Sequence, residues 1–326
     1  MRLIGTDSDR TSLDLNVWLD RAFHLPGAHD RKYLFALNRV VKQEEVEAIF
    51  PQPDAEVAQI SKERDQVRAS VFLPDAETVS TCLDKFEALS RWHKAGLRKK
   101  PAVISLKNRD DQSIGLLHYP CWIRAREGAG GLLSCKADNS SIARHWVEFH
   151  WEQGISTDFV AEEYLPGRDY CFMSIWDQGR LVTSMVRERL SWVGHRVIGS
   201  GGTSKLNRVV HSEAVNNKAL EAISAVARSP HGIFCVDLKE NSDGVPCPTE
   251  INCRFTTNVH YLALASVRLG HPEWNFAWLA SQLAVGEKIP ACAKTDALPS
   301  DLWFTKNTDM GFTMVRADAW RAEDIL

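Results

Sequence analysis

The chain lacks any run approaching the ~20 apolar residues that a membrane-spanning helix needs, and no basic-then-apolar leader pattern opens it. None of its eight cysteines, at 82, 121, 135, 171, 235, 247, 253 and 292, forms a C-x-x-C pair. Most fall inside apolar strand or helix patterns, which reads as reduced structural thiols of a cytoplasmic protein rather than a zinc site. Basic charge is not in excess: the formal net charge is −3, which argues against a nucleic-acid partner. There is no internal repeat and no low-complexity segment. The run Gly199-Ser200-Gly201-Gly202-Thr203-Ser204-Lys205 looks superficially like a P-loop but lacks the G-x-x-x-x-G-K-[ST] spacing, and reads instead as a mobile substrate-side loop. What remains is an ordinary globular composition over 326 residues, enough for two domains or one large domain with lobes.

The most informative segment is Thr249-Glu250-Ile251-Asn252-Cys253-Arg254-Phe255. Strand alternation puts Glu250, Asn252 and Arg254 on one face and Ile251, Cys253 and Phe255 on the other. Upstream, Ile233-Phe234-Cys235-Val236-Asp237-Leu238 reads as a second strand, and Asp243-Gly244 between them signals a tight two-residue hairpin turn. In that register Asp237 stands opposite Glu250, with Cβ atoms about 5 Å apart. Two bare carboxylates so placed repel, and a shared proton, an arginine or a divalent cation would offset this. Asn252 adds a neutral oxygen and Arg254 a fork suited to phosphate. One reading is magnesium carrying nucleotide phosphates. The other is an exposed hairpin with scattered polar residues, its register disturbed by Pro246 and Pro248.

Along the chain, Leu3-Ile4-Gly5-Thr6-Asp7 and Ala48-Ile49-Phe50-Pro51 are short strands, with a charged helical run from Lys42 to Val46 before the second. Alternating strands and helices point to an α/β layer with parallel strands. Pro74-Asp75 opens a helix with Asp75 as N-cap and Gly96 as stop. Val79, Cys82, Leu83, Phe86 and Leu89 share one face of it, with Lys85 off that face. The basic tail Lys94, Arg98, Lys99 and Lys100 suits a helix C-terminus. Strand and turn signals dominate from Pro101 to about residue 260, and a helical stretch runs from Tyr261 to Val285.

Several segments suit a nucleotide. Pro120-Cys121-Trp122-Ile123-Arg124-Ala125-Arg126 places Arg124 and Arg126 on one strand face before Glu127-Gly128-Ala129-Gly130-Gly131, a loop whose N–H groups either wrap a phosphate or form a plain turn. In Phe159-Val160-Ala161-Glu162-Glu163-Tyr164-Leu165-Pro166-Gly167-Arg168-Asp169-Tyr170 an apolar strand ends in two acids, turns, and resumes at Asp169. Such a passage offers backbone groups to an adenine edge and a carboxylate to ribose, or is a solvated turn. Arg187 and Arg189 share a strand face, either solvated or turned to the same cleft.

In order, these pieces resemble the ATP-grasp superfamily, especially the ATP-binding halves of carbamoyl-phosphate synthase. The resemblance covers roughly residues 79–285, and its ordered set of motifs is more specific than any one of them. It implies an α/β fold with α+β lobes: an ATP-grasp domain over residues 79–326, preceded by a short parallel α/β domain over residues 1–78. Leu3–Asp7 looks like that domain's second strand, so its first strand and helix are expected to be missing. By the resemblance, Lys85, Arg124 and the loop of Gly128 and Gly130 would contact ATP phosphates. Glu162 or Glu163, with Tyr164 and Leu165, would frame adenine, and Asp169 would hold ribose. Asp237, Glu250 and Asn252 would hold Mg2+ or Mn2+, and Arg254 would steady the phosphoryl group in transit. Cys253 stands where the family usually has proline, which leaves the ligand positions intact.

The activity so implied is an ADP-forming carboxylate–amine ligase: ATP converts a small carboxylate to an acyl phosphate, which an amine attacks to form an amide or peptide bond. Arg187 and Arg189 are assigned to the substrate side of the cleft. His93, His118, His195, His211 and His260 offer general-base candidates, each more simply read as structural. The partners implied are small carboxylate and amine molecules, with no nucleic acid and no membrane; a homodimer is compatible. The alternatives are an ATP-binding regulatory or partner subunit without ligase activity, and a phosphotransferase. Retention of Asp237, Glu250, Asn252 and Arg254 argues against a mere binder, which could lose metal ligands at little cost.

Overall fold

In the first third of the chain, short apolar segments separated by amphipathic ones build strands joined through helices. The computed structural model describes residues 1–16, 18–99, 104–106, 112–128, 131, 133–155, 157–193, 203–300, 302–306 and 322–324. Strand Ile4–Asp7 (β1), helix Arg10–Asp14 (α1) and strand Arg21–His24 (β2) form a unit whose strands pair in parallel. After helix Tyr33–Glu44 (α2), Ala48–Ile49 (β3) pairs in parallel with Ser70–Val71 (β4) across helix Asp54–Lys62 (α3). Parallel strands need such crossovers, and this is the α/β layer expected from the sequence.

Asp75 caps the next helix as expected, accepting a hydrogen bond from the Thr78 N–H at 2.8 Å. The helix does not run on to Gly96. Asp84 has extended backbone, and its carboxylate takes the N–H groups of Phe86 and Glu87 at 3.0 and 3.2 Å. One expected helix is therefore two, Ala76–Leu83 (α4) and Lys85–Lys94 (α5). A short acidic side chain that satisfies orphan donors starts a helix more readily than it sits inside one. The break makes Lys85 the first residue of α5.

The antiparallel strands Ile104–Leu106 (β5), Cys121–Ala125 (β6), Cys135–Ala137 (β7) and Phe159–Glu163 (β8) form a four-stranded sheet in the order β5-β8-β6-β7. Helix Ser140–Glu152 (α6) packs on it through Ala143 and Val147. A second sheet comprises Asp169–Asp177 (β9), Arg180–Trp192 (β10), Ser204–Val210 (β11), Gly232–Glu240 (β12), Pro246–Asn252 (β13) and Trp303–Thr305 (β14), ordered β13-β12-β9-β10-β11-β14 and antiparallel throughout. Helix Glu213–Val226 (α7) links β11 to β12. Both α6 and α7 lie in the region read from sequence as strand and turn; Asn139 and Ser212 cap them by accepting from Ile142 and Val215. The helical stretch expected over residues 261–285 is also interrupted, because Gly270 takes a left-handed conformation (φ 76°) that ends His260–Leu269 (α8) before Phe276–Ala284 (α9). Leu262 and Ala265 of α8 are buried, while Leu264 and Val267 on its other side are exposed. Strand Ala322–Asp324 (β15) returns to pair in parallel with β2. Among the described residues no helix is long and apolar enough to cross a membrane.

Alternation gives the six-stranded sheet two different faces. On one, Phe172, Val186, Val236 and Ile251 pack against α4, α5 and α7 through Val79, Leu89, Trp92, Ala219 and Ile223. Trp92 is fully buried and its Nε1 donates to the Ala222 carbonyl at 3.0 Å, so this large side chain leaves no polar atom unpaired. On the other face, Met173, Met185, Val209 and Cys235 pack against Leu262, Phe276 and Leu279 of α8 and α9. That cover stops short. Farther along the same strands this face carries polar residues, and they open into a cleft.

The start of β12 is fixed by a close backbone approach. Gly232 has φ 96°, and a Cβ there would lie 2.8 Å from the Phe72 oxygen. Gly232→Ala is expected to destabilise the protein by roughly 2–4 kcal/mol, from positive φ and overpacking together. The urea midpoint should fall accordingly; an unchanged midpoint would contradict the close approach.

Candidate functional site

The cleft, about 610 Å³, lies between the four-stranded and six-stranded sheets. From the first come Arg124 of β6 and Glu162 and Glu163 of β8, followed by Tyr164 and Leu165; from the second come Asp169, Arg187, Arg189, Asp237, Glu250 and Asn252. Lys85, Gly128 and Arg254 complete the sequence-derived set that lines it. Gly130 and the Gly199–Gly202 loop lie outside the described residues.

Asp237 does stand opposite Glu250, but by a different route from the two-residue turn. The loop runs from Asn241 to Val245, closed by Asn241 N–H to Val245 O at 3.0 Å, and Glu240 pairs with Pro246. That shifts the ladder by one residue. A bulge at Thr249, whose hydroxyl donates to the Asp237 carbonyl at 3.1 Å, shifts it back. Pro246 and Pro248 are tolerated because β13 is an edge strand.

Cations bracket the two acids. Arg189 pairs with Asp237 and, at 3.2 Å, with Asp169. Burial opposes the charge of this guanidinium, yet Asp237 and Asp169 together hold its pKa well above the ordinary range. Burial also raises the Asp169 carboxyl, with Arg189 working against it. Register explains the grouping: Lys239, Asp169, Arg189 and Asn207 are successive partners across β12, β9, β10 and β11. On the Glu250 side stands Arg124, at 3.4 Å from Glu250 and 2.7 Å from Glu162. Glu162 is itself buried and reaches a second arginine, Arg98, at 3.1 Å. Arg98 is no solvated member of a helix-end basic tail: it is 3% exposed and anchored to the Pro248 carbonyl. Sequence gave no signal for this, since Arg98 and Pro248 are 150 residues apart.

Lys85 is buried, and its Nζ reaches the Gly128 carbonyl at 2.5 Å. Burial lowers its pKa, with Glu250 opposing. Arg126 does not share the cleft face of Arg124. It lies beyond β6 and forms a two-pronged pair with Asp84 at 2.9 and 2.6 Å, tying the start of α5 to the glycine loop. Arg254 is held by Asp54 of α3 at 2.6 Å, a contact between residues 200 apart that no local pattern signals. Among the described residues no histidine lines the cleft: His93 and His211 contact the Arg98 and Leu298 carbonyls at 3.0 and 2.7 Å, and His195 lies outside the described residues. The eight cysteines are free thiols, seven of them buried.

The arrangement joins a cation-rich floor (Lys85, Arg124) to an oxygen-donor corner (Asp237, Glu250, Asn252) with a guanidinium at its edge (Arg254). Among the described residues no three histidine, cysteine or acidic side chains cluster as metal ligands, so a cation here would rest on two carboxylates and an amide oxygen. That donor chemistry suits a hard cation that keeps waters and phosphate oxygens for its remaining positions.

The sequence matches no protein-family model and no curated protein. Solved structures do resemble it. An L-amino acid ligase from Bacillus licheniformis shares 14% identity at a TM-score of 0.64, covering 87% of this chain and 74% of that one. The biotin carboxylase domain of the Hydrogenobacter thermophilus 2-oxoglutarate carboxylase, in complex with MgADP and bicarbonate, shares 14% at 0.66, covering 93% and 68%. Carboxyaminoimidazole ribonucleotide synthase from Aspergillus clavatus, complexed with ATP, shares 14% at 0.66, covering 93% and 73%. With two sheets enclosing one polar cleft and these structural relatives, the chain has the ATP-grasp fold.

Proposed function

We propose that this protein is an ADP-forming, ATP-dependent ligase that activates a small carboxylate as an acyl phosphate and joins it to an amine. The observation that carries the reading is the Asp237–Glu250 pair: two carboxylates held side by side on an open sheet face, with Asn252 beside them and Lys85 and Arg124 in the same cleft. Acids placed together in a cation-rich cleft suit a metal-bound polyphosphate better than a neutral ligand. The MgADP and ATP complexes among the structural relatives support nucleotide as the occupant. In this reading residues 1–78 form the preceding α/β domain and residues 79–326 the ATP-grasp domain.

Mg2+, or Mn2+ in its place, would be held by Asp237, Glu250 and Asn252, and when bound it neutralises charge on the phosphates. Lys85 and Arg124 bind phosphate oxygens, Lys85 losing little by leaving its single carbonyl partner. Glu163 and the Tyr164–Leu165 backbone frame adenine. Glu162 is already engaged by two arginines and instead positions Arg124. Asp169 holds ribose. Arg254, aimed by Asp54, stabilises the phosphoryl group as it passes to the carboxylate, the step where charge is most concentrated. Arg189 is committed to Asp169 and Asp237, which supports a place in the nucleotide half rather than on the substrate side.

A screen of amino acids and small carboxylates, alone and in pairs, tests the function: ADP release should require both an acid and an amine and yield the mass of their condensation product. ADP release with either alone, or no release with any pair, would contradict it. Glu250→Gln keeps the shape and removes one charge, so kcat should fall by about 100-fold or more while thermal unfolding changes little; normal turnover would sink the metal assignment. Arg124→Ala should weaken ATP binding roughly tenfold or more by calorimetry. It should also lower the melting temperature, because Glu162 stays buried with one arginine fewer. Unchanged ATP affinity would remove Arg124 from the phosphate site.

A further inference from the structure

Two strands along from Asp237, a compact polar network borders the same cleft. Register places Asp237, Cys171 and Arg187 in one row across β12, β9 and β10, so Arg187 starts about 10 Å from Asp237. Ser204 is saturated: its Oγ accepts from Arg187 Nη1 at 2.9 Å and from Asn258 Nδ2 at 2.9 Å, and donates to Asn207 Oδ1 at 2.8 Å. Arg187 Nη1 also donates to Asn207 Oδ1. These bonds fix both amides, Asn207 turning its oxygen inward and Asn258 its nitrogen.

The atoms left over are informative. Arg187 Nε, Thr256 Oγ1 and Asn258 Oδ1 are buried without a hydrogen-bond partner among the described residues, and all three residues line the cleft. Asn207 Nδ2 shares that state one layer behind. Arg187 and Asn258 are only 5% and 3% exposed. A buried polar atom left without a partner is costly, so a ligand that supplies the partner is favoured. Arg187 moreover has no acidic partner among the described residues: its contacts are neutral oxygens of Ser204 and Asn207. A buried guanidinium without a counter-ion is an anion site. Its strand neighbour Arg189 cannot serve, since two aspartates already hold it.

We propose that Arg187, Thr256 and Asn258 form the carboxylate-substrate subsite, and that this substrate carries a hydrogen-bond donor on the carbon beside its carboxylate, as an α-amino acid does. Arg187 Nε and the Thr256 hydroxyl donate to the carboxylate oxygens. Asn258 Oδ1, the outward acceptor of the network, takes the α donor. Ser204 and Asn207 are positioning residues that hold Arg187 and Asn258 in these roles. The inference rests on the ligase reading for its place in a reaction, but its test needs no turnover.

Calorimetry with Mg2+ and a non-hydrolysable ATP analogue measures binding of each proteinogenic amino acid. The tightest is then compared with its desamino and its α-hydroxy counterparts. The desamino acid should bind roughly tenfold or more weakly than both, since it alone offers Asn258 no donor. Asn258→Leu should erase the preference over the desamino acid and leave nucleotide affinity within about twofold. Binding of no amino acid, equal affinity for the desamino analogue, or a preference that survives Asn258→Leu overturns the subsite. Should the variant not fold, the analogue series on the unmodified protein decides. An amino acid that binds with this preference yet supports no ADP release keeps the subsite and removes the ligase reading. ADP release driven equally well by the desamino acid does the reverse.

Discussion

The charge arrangement across the cleft turns on Asp237 standing directly opposite Glu250. Facing carboxylates on neighbouring strands repel, and each must find positive charge nearby. On one side Arg189 takes Asp237, and a second acid, Asp169, shares that guanidinium. On the other, Arg124 leans toward Glu250 and is held by Glu162, which in turn leans on Arg98. The result is a chain of opposite-charge pairs from β10 of one sheet to β8 of the other, interrupted only where Asp237 faces Glu250. It ties the two sheets together across the cleft at the place where a cation and a polyphosphate would enter. Buried pairs of this kind contribute little net stability and much geometric definition, which suits a site more than a core.

The sheet makes this possible by being covered unevenly. One face of β9 and β12, with Val186 of β10 beside them, packs against α4, α5 and α7, so those strands are supported from behind. The other face is closed only where α8 and α9 reach. Beyond them, alternation that would otherwise point apolar side chains at a core turns Asp169, Arg187, Arg189 and Asp237 to the lining of the cleft. Helix ends serve the same purpose. Asp84 starts α5 at Lys85 and grips Arg126, so the lysine and the glycine loop are set against each other by one acidic side chain.

Features that rest on local periodicity could be read from the sequence. The two faces of residues 249–255, the Asp75 cap and the parallel pairing of the N-terminal strands are of this kind. The Asp237–Glu250 pairing emerged from the wrong turn, because a five-residue loop and a one-residue bulge offset each other. The break at Asp84 had a visible signal, an Asp followed three residues later by Glu87, but the continuous apolar face of Val79 to Leu89 masked it. Helix α6 escaped because its buried stripe, Ala143, Val147 and His150, is narrow while aromatic residues crowd its other faces. Partners distant in sequence left no trace at all. Asp54 aims Arg254 and Arg98 holds Glu162, and neither carries a pattern that periodicity or spacing detects. The Ser204–Asn207–Asn258 network was equally invisible, since polar residues near strand ends and loops look solvated until burial is known.

In the proposed ligase the Asp237–Glu250 corner holds a divalent cation together with nucleotide phosphates. A crystal structure with Mn2+ and a non-hydrolysable ATP analogue, with anomalous diffraction to locate the manganese, tests it most directly. An anomalous peak within coordination distance of Asp237 and Glu250 is expected, with the nucleotide phosphates beside Lys85 and Arg124. Nucleotide bound with its metal elsewhere, or a cleft that takes up neither, would contradict it.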